Sequence, residues 1–182
     1  MTQKLYETDA YVQEFAAAVL SCTPAKGGYA VVLDRTAFFP EGSGQPCDLG
    51  TLGTAKVTDV HTDGTTITHT TDAPLEPGTA VTGRIDWPRR LDAMQQHTGE
   101  HLLSWCAFQR FGAVNVGFHL SEAYGTIDLD RPLDAAQLQE LEQAGIPYRK
   151  VLAEENPDLA VRYGVRQAPT LVVDGADPVK VV

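Results

Sequence analysis

The residues best equipped for chemistry are two histidines, His97 and His101, in the run Met94-Gln95-Gln96-His97-Thr98-Gly99-Glu100-His101-Leu102-Leu103. On a helix, positions i and i+4 stack one turn over the other, so both imidazoles can point at one ion. A divalent transition metal such as zinc takes neutral imidazole nitrogens at about 2.0–2.1 Å, and a single rigid helix delivers two of them. Glu100 sits between the pair, as general base for a water or as support behind a ligand histidine. The competing reading makes both histidines ordinary helix residues. The letters also spell H-x-x-E-H, a pattern of one group of zinc peptidases.

A second candidate region is Thr36-Ala37-Phe38-Phe39-Pro40-Glu41-Gly42-Ser43-Gly44-Gln45-Pro46. Its glycines and prolines forbid a regular element, so it must be a shaped loop. Such a loop sets the hydrogen-bonding side chains of Thr36 and Gln45 beside two phenylalanines. Apolar walls with a few placed polar groups are how small-ligand pockets are lined. Taken alone, the same composition also suits a connector with no function.

The elements that must hold these groups can be read from patterning. Residues 88–110 form the longest helix-patterned run, with Asp86 as cap and Pro88 in the first turn. Leu91, Met94, Leu102, Trp105 and Phe108 read as one apolar stripe destined for a core, with His97 and His101 along its edge. Arg89 and Arg90 oppose the helix dipole at its start, which suggests an anion nearby or simple solvation. Residues 1–87 are β-rich: 29–33, 53–60, 65–70 and 79–85 are short strands broken by Asp63-Gly64 and Pro77-Gly78 turns. The span 10–20 suits helix or strand. Short strands so spaced predict a small barrel-like unit.

Composition limits the remaining classes. At 43% hydrophobic and 21% charged, the 182 residues are those of an ordinary folded protein with one core or two small ones. No apolar run of membrane length and no secretion leader is present, so the expectation is a cytoplasmic protein with no membrane partner. Three scattered cysteines without a C-x-x-C fit a reducing compartment. A non-specific nucleic-acid binder is usually basic, so a net charge of −10 implies that any RNA is gripped locally.

Several of these stretches together resemble the alanyl-tRNA editing domain family. Residues 33–46 look like its loop, and Arg84-Ile85-Asp86-Trp87-Pro88-Arg89-Arg90 with 95–104 resembles its metal helix. Residues 116–120, 126–130 and 133–142 resemble the family's segments downstream of that helix. The resemblance covers about residues 5–143 and points to the stand-alone trans-editing type. It implies a zinc-dependent deacylase that hydrolyses seryl or glycyl esters on the tRNA for alanine, with the mischarged acceptor end as partner. It implies metal ligation by His97 and His101, catalysis by Glu100, and substrate contact through Thr36, Phe39, Gly42, Gly44, Gln45 and His119. The family completes its zinc site with a downstream Cys and His that this chain lacks; Cys106 falls on another side of the helix, leaving His119 and water as completion.

From residue 145 the pattern changes. Residues 145–175 resemble the second half of a thioredoxin-like domain: a strand, a helix capped at Asn156 and closed by Gly164, and a strand after a cis Ala168–Pro169 bond. Without a C-x-x-C, thiol–disulfide exchange is excluded. The expected architecture is α+β: a β-barrel-like N-terminal unit at 1–87, an incomplete editing subdomain at 88–144, and a partial thioredoxin-like α/β tail at 145–182. Halves lacking core partners predict exposed apolar surface and self-association. The other functional reading is a non-catalytic tRNA- or protein-binding remnant.

Overall fold

The computed structural model describes residues 2–42, 44–121, 124–143, 148–150, 170–174 and 177–181. The chain divides into two compact units, Met1–Leu91 and Asp92–Val182.

The first unit contains β1 (Gln3–Lys4), a 3-10 turn at Leu5–Glu7, β2 (Glu14–Ala25), β3 (Gly28–Leu33), β4 (Arg35–Thr36), β5 (Gly50–Leu52), β6 (Ala55–Thr62), β7 (Ile67–Thr71) and β8 (Ala80–Ile85). Six of these strands close an antiparallel barrel in the order β2-β3-β7-β6-β5-β8, which meets the barrel-like expectation. The ambiguous span 10–20 joins β2 from Glu14 onward because Phe15, Ala17 and Val19 bury one face at a period of two. On β6 the register slips between Val57 and Asp59, and the extra residue turns Val60 inward alongside Val57. Gly83 on β8 makes room for the Phe15 ring, since a Cβ there would lie 2.4 Å from its atoms. The Asp63-Gly64 turn forms as expected: Asp63 Oδ1 accepts from the N–H groups of Thr65 (2.8 Å) and Thr66 (2.7 Å).

Helix α1 (Trp87–Phe111) begins in the first unit and continues into the second. Asp86 caps it, its Oδ1 accepting from Arg89 N–H at 3.3 Å. The second unit then holds β9 (Asn115–Leu120), β10 (Tyr124–Leu129), α2 (Ala135–Gln143), β11 (Tyr148–Lys150), β12 (Thr170–Asp174) and β13 (Asp177–Val181). Its sheet runs β11-β13-β12-β10-β9, with β12 antiparallel to β10. A reciprocal capping box starts α2: Gln137 N–H donates to Asp134 Oδ1, and Asp134 N–H to Gln137 Oε1. The strand after Pro169 is present as β12. The helix expected from Asn156 to Gly164 and the Ala168–Pro169 bond lie outside the described residues.

The core of this unit is Leu103, Ala107, Ala113, Ile127, Leu129, Leu138 and Leu141. That corrects the expected apolar stripe. Leu102, Trp105 and Phe108 are 61%, 62% and 52% exposed, while Gln96, Glu100, Leu103 and Ala107 form the buried face. Periodicity misplaces the inward face of α1 because two of its members are polar: Gln96 bonds Asp92 and Glu100 bonds Ser104 on the helix itself, and only Asn115 on β9 is a partner from another element.

Candidate functional site: a tethered loop and a histidine pair

The loop in the first unit is held at its neck. Phe39 N–H donates to Asp48 Oδ2 (2.5 Å), and Asp48 N–H donates back to the Phe39 carbonyl (2.9 Å). Arg90 grips the same carboxylate through Nε, at 2.8 Å to Oδ1 and 3.0 Å to Oδ2, and through Nη2. Its remaining donors reach the carbonyls of Ala37 (2.6 Å) and Ala10 (2.9 Å). Both side chains are 6% exposed. Arg90 therefore does meet an anion, but a buried one from its own unit rather than solvent or substrate. At the tip, Gly42 and Gln45 exchange backbone hydrogen bonds (3.2 and 3.0 Å), with Gly44 at φ 77°, a conformation that glycine adopts without strain. Phe39 leans edge-on against Tyr6, ring centroids 5.3 Å apart.

Thr36 and Phe38 take a different place from the one expected. Both are fully buried in the barrel, Phe38 against Phe15 and His69. His69 Nδ1 lies 3.2 Å from the Val31 carbonyl, which only accepts, so Nδ1 carries the proton and Nε2 is the acceptor. The Thr36 hydroxyl donates to that Nε2 (2.8 Å) and accepts from Phe38 N–H (3.1 Å). Thr36 is fully buried and its one hydroxyl proton is committed to His69, so it could donate to a substrate hydroxyl only by giving up that bond. Burial pushes the His69 pKa down to about 4, against a smaller opposing effect of the Val31 bond, so the ring is neutral. Sequence reading missed His69. Its one signal is the alternation Ile67, His69, Thr71, which sends all three inward from β7.

An exposed group near the loop joins Glu41, Asp59 and His61, with His61 Nε2 2.6 Å from Asp59 Oδ2 and Cys47 Sγ donating to Asp59 Oδ1 at 3.5 Å.

On α1 the histidine pair has the geometry its spacing implies. His97 Nε2 and His101 Nε2 face each other at 2.7 Å. His101 is exposed; His97 is partly buried against Phe118, ring centroids 5.6 Å apart. Burial first, and the neighbouring His101 second, lower the His97 pKa below the usual histidine value, while Glu100 opposes them. A neutral ring is the form that binds metal. Behind the pair lies Glu100, 2% exposed. Its Oε1 accepts from Ser104 Oγ (2.6 Å) and Asn115 Nδ2, and Asn115 Nδ2 also donates to Ser104 Oγ (2.8 Å). Its Oε2 is buried, has no hydrogen-bond partner, and lies 3.4 Å from His101 Nδ1.

These residues fit a metal ion. Two tetrahedral ligands at about 2.0–2.1 Å stand about 3.3 Å apart, so the rings need open by only about 0.6 Å. The orphaned Glu100 oxygen sits where metal-binding histidines find a carboxylate for their second nitrogen. Among the described residues, His97, Glu100 and His101 are the group whose ligand atoms on this helix lie within 4.8 Å of one another, and His119 is not in it. Phe118 faces His97 and the core; alternation on β9 sends the exposed His119 to the opposite side of the sheet. Cys106 packs with the core.

Comparison with known proteins bears on both regions. Residues 7–89, the barrel and the loop, match the family model described as tRNA synthetases class II (A). The chain is 39% identical over 154 residues to the alanyl-tRNA editing protein Aarsd1 of Mus musculus, covering 77% of this chain and 37% of that one. This chain belongs to the alanyl-tRNA editing domain family. The Aarsd1 of Bos taurus is 40% identical over 144 residues, covering 72% of this chain and 32% of its own length. The alanine–tRNA ligase of Pyrococcus abyssi is 35% identical over 190 residues, 96% of this chain and 20% of the ligase, so that match extends into the segment after residue 144. The chain spans about a third of the editing proteins and a fifth of the ligase. No helix among its described residues is long and apolar enough to cross a membrane.

Proposed function

We propose that this editing-family chain is a trans-editing hydrolase that deacylates seryl or glycyl esters on the tRNA for alanine, with zinc held by His97 and His101. The observation that carries this reading is the convergence of the two Nε2 atoms at 2.7 Å over a buried glutamate. A zinc ion bound there would polarise the ester carbonyl or orient a water. His97 and His101 would hold the ion through their Nε2 atoms. Glu100 is too deeply buried to serve an incoming water directly, so its part is support of His101 rather than general base. Gln45 and the Gly42–Gly44 tip, with Phe39, contact the amino acid; Thr36 and His69 shape the loop from beneath. His119 stands apart from the pair and contacts the acceptor end. Two protein ligands hold zinc less tightly than four, so zinc is substoichiometric, easily chelated, and turnover is slow.

Deacylation of seryl- and glycyl-tRNA, with and without chelator, tests this. Zinc-dependent release of serine or glycine supports it; no release at any zinc concentration overturns it. A second reading, a non-catalytic tRNA- or protein-binding remnant that self-associates, draws on the exposed Leu102, Trp105 and Phe108. The tail fits this scheme as a partial thioredoxin-like segment without redox chemistry.

A further inference from the structure

The Glu100 side chain presents an asymmetry that the metal reading does not itself require. Oε1 takes two hydrogen bonds, from Ser104 Oγ and from Asn115 Nδ2, whereas Oε2 takes none. Asn115 is fixed in turn: its Oδ1 accepts from Gly117 N–H at 2.9 Å, and its Nδ2 also reaches Ser104 Oγ at 2.8 Å. An ordinary buried carboxylate spreads its donors over both oxygens, because a buried acceptor left without a donor bears its full desolvation cost. Here the single unmet oxygen is the one 3.4 Å from His101 Nδ1, and Glu100 is 2% exposed.

We propose that Asn115, acting with Ser104, is a positioning residue that sets the tautomer of His101. By holding Oε1, the pair turns Oε2 toward His101 Nδ1. A carboxylate oxygen at that point favours the proton on Nδ1, since only a donor there can satisfy it. The proton on Nδ1 leaves Nε2 bare, with its lone pair directed at His97 Nε2, the arrangement an ion needs. Asn115 never touches the ion or the substrate; it acts through Glu100. The sequence separation hides this, since Asn115 lies on β9 and enters the network only when β9 packs beside α1.

This inference rests on the metal reading only for its purpose, and its principal test needs no metal. In the metal-free protein at mildly alkaline pH, long-range nitrogen–proton correlation spectra report which nitrogen of each imidazole carries the proton. The expected result is an Nδ1-protonated His101 in the wild type and a mixed or Nε2-protonated ring in Asn115→Ala. Ser104→Ala should shift it the same way, and Ser104→Thr, which keeps the hydroxyl, should restore it. Cobalt or zinc titration should show affinity weaker by about 10–100-fold in the two alanine variants. A wild-type His101 protonated on Nε2, or a tautomer unmoved in folded Asn115→Ala and Ser104→Ala, overturns the proposal. Should the tautomer behave as stated while neither metal binds the wild type, the positioning role stands and the zinc reading falls.

Discussion

The loop of the first unit and the histidine face of the second treat polar groups in opposite ways. In the first, polar groups are closed off: Arg90 spends its donors on Asp48, Ala37 and Ala10, and Thr36 spends its hydroxyl on His69 and Phe38. In the second, Glu100 keeps one buried oxygen without a partner, His101 stands exposed, and three large apolar side chains face outward. Satisfied buried networks rigidify a fold, whereas open donors and acceptors are what a ligand uses. The buried polar groups of the loop neck are thus satisfied, while α1 keeps an open acceptor beside an exposed imidazole.

The sharpest way to break this contrast is to remove an imidazole. His97→Ala or His101→Ala should abolish measurable zinc retention and deacylation while leaving the urea midpoint of the barrel transition in place. Zinc retained at wild-type affinity by either variant, measured by equilibrium dialysis, would show that the helix is not the metal site.

Next in size is the buried ion pair. Asp48→Ala leaves an uncompensated guanidinium and should cost about 3–5 kcal/mol, read from urea unfolding of the full chain. Replacing both partners, as Asp48→Leu with Arg90→Met, should recover most of that loss. A single-variant cost below about 1 kcal/mol would mean the loop neck is held by something else.

His69 gives a slightly smaller effect, and its sign is set by the direction of the shift. Its folded pKa of about 4 lies below the ordinary value of about 6.5, so the unfolded chain binds the proton first as pH falls. The contribution is therefore whole above about pH 6.5 and is lost as pH drops toward 4, on the order of 3 kcal/mol in total. Carboxylates titrate in the same range, so the readout is the difference between wild type and His69→Gln, which should have a flatter profile below about pH 6.5. Parallel profiles would contradict the buried neutral ring.

The smallest effect belongs to the exposed stripe. Trp105→Glu should change unfolding free energy by no more than about 0.5 kcal/mol, as surface substitutions do, yet reduce self-association in sedimentation. A loss of several kcal/mol would place Trp105 in a core after all.

Much of the scaffold is readable before folding. Strand periodicity, the Asp63-Gly64 turn, the Asp86 cap and the helix over 88–110 are local signals, carried by hydrogen bonds and rotamer preferences within a few residues. The His97–His101 pair is readable for the same reason: a helix fixes the separation of i and i+4 whatever surrounds it. The span 10–20 is not, because its Ala, Val and Tyr suit either element until pairing with β3 and β8 selects strand.

What the sequence determined by itself, then, is everything set by short-range geometry: barrel strands, the helix with its histidine pair, glycine-rich loop. Tertiary structure alone decided which polar residues were already occupied. The Thr36 hydroxyl is bonded to a histidine thirty-three positions away, Arg90 meets Asp48 in place of an outside anion, and Glu100 is bonded by Asn115. Each of these outcomes depends on a partner from a distant strand or loop. A buried polar group must find such a partner or bear the cost of desolvation, and which one it finds is a property of the packed fold.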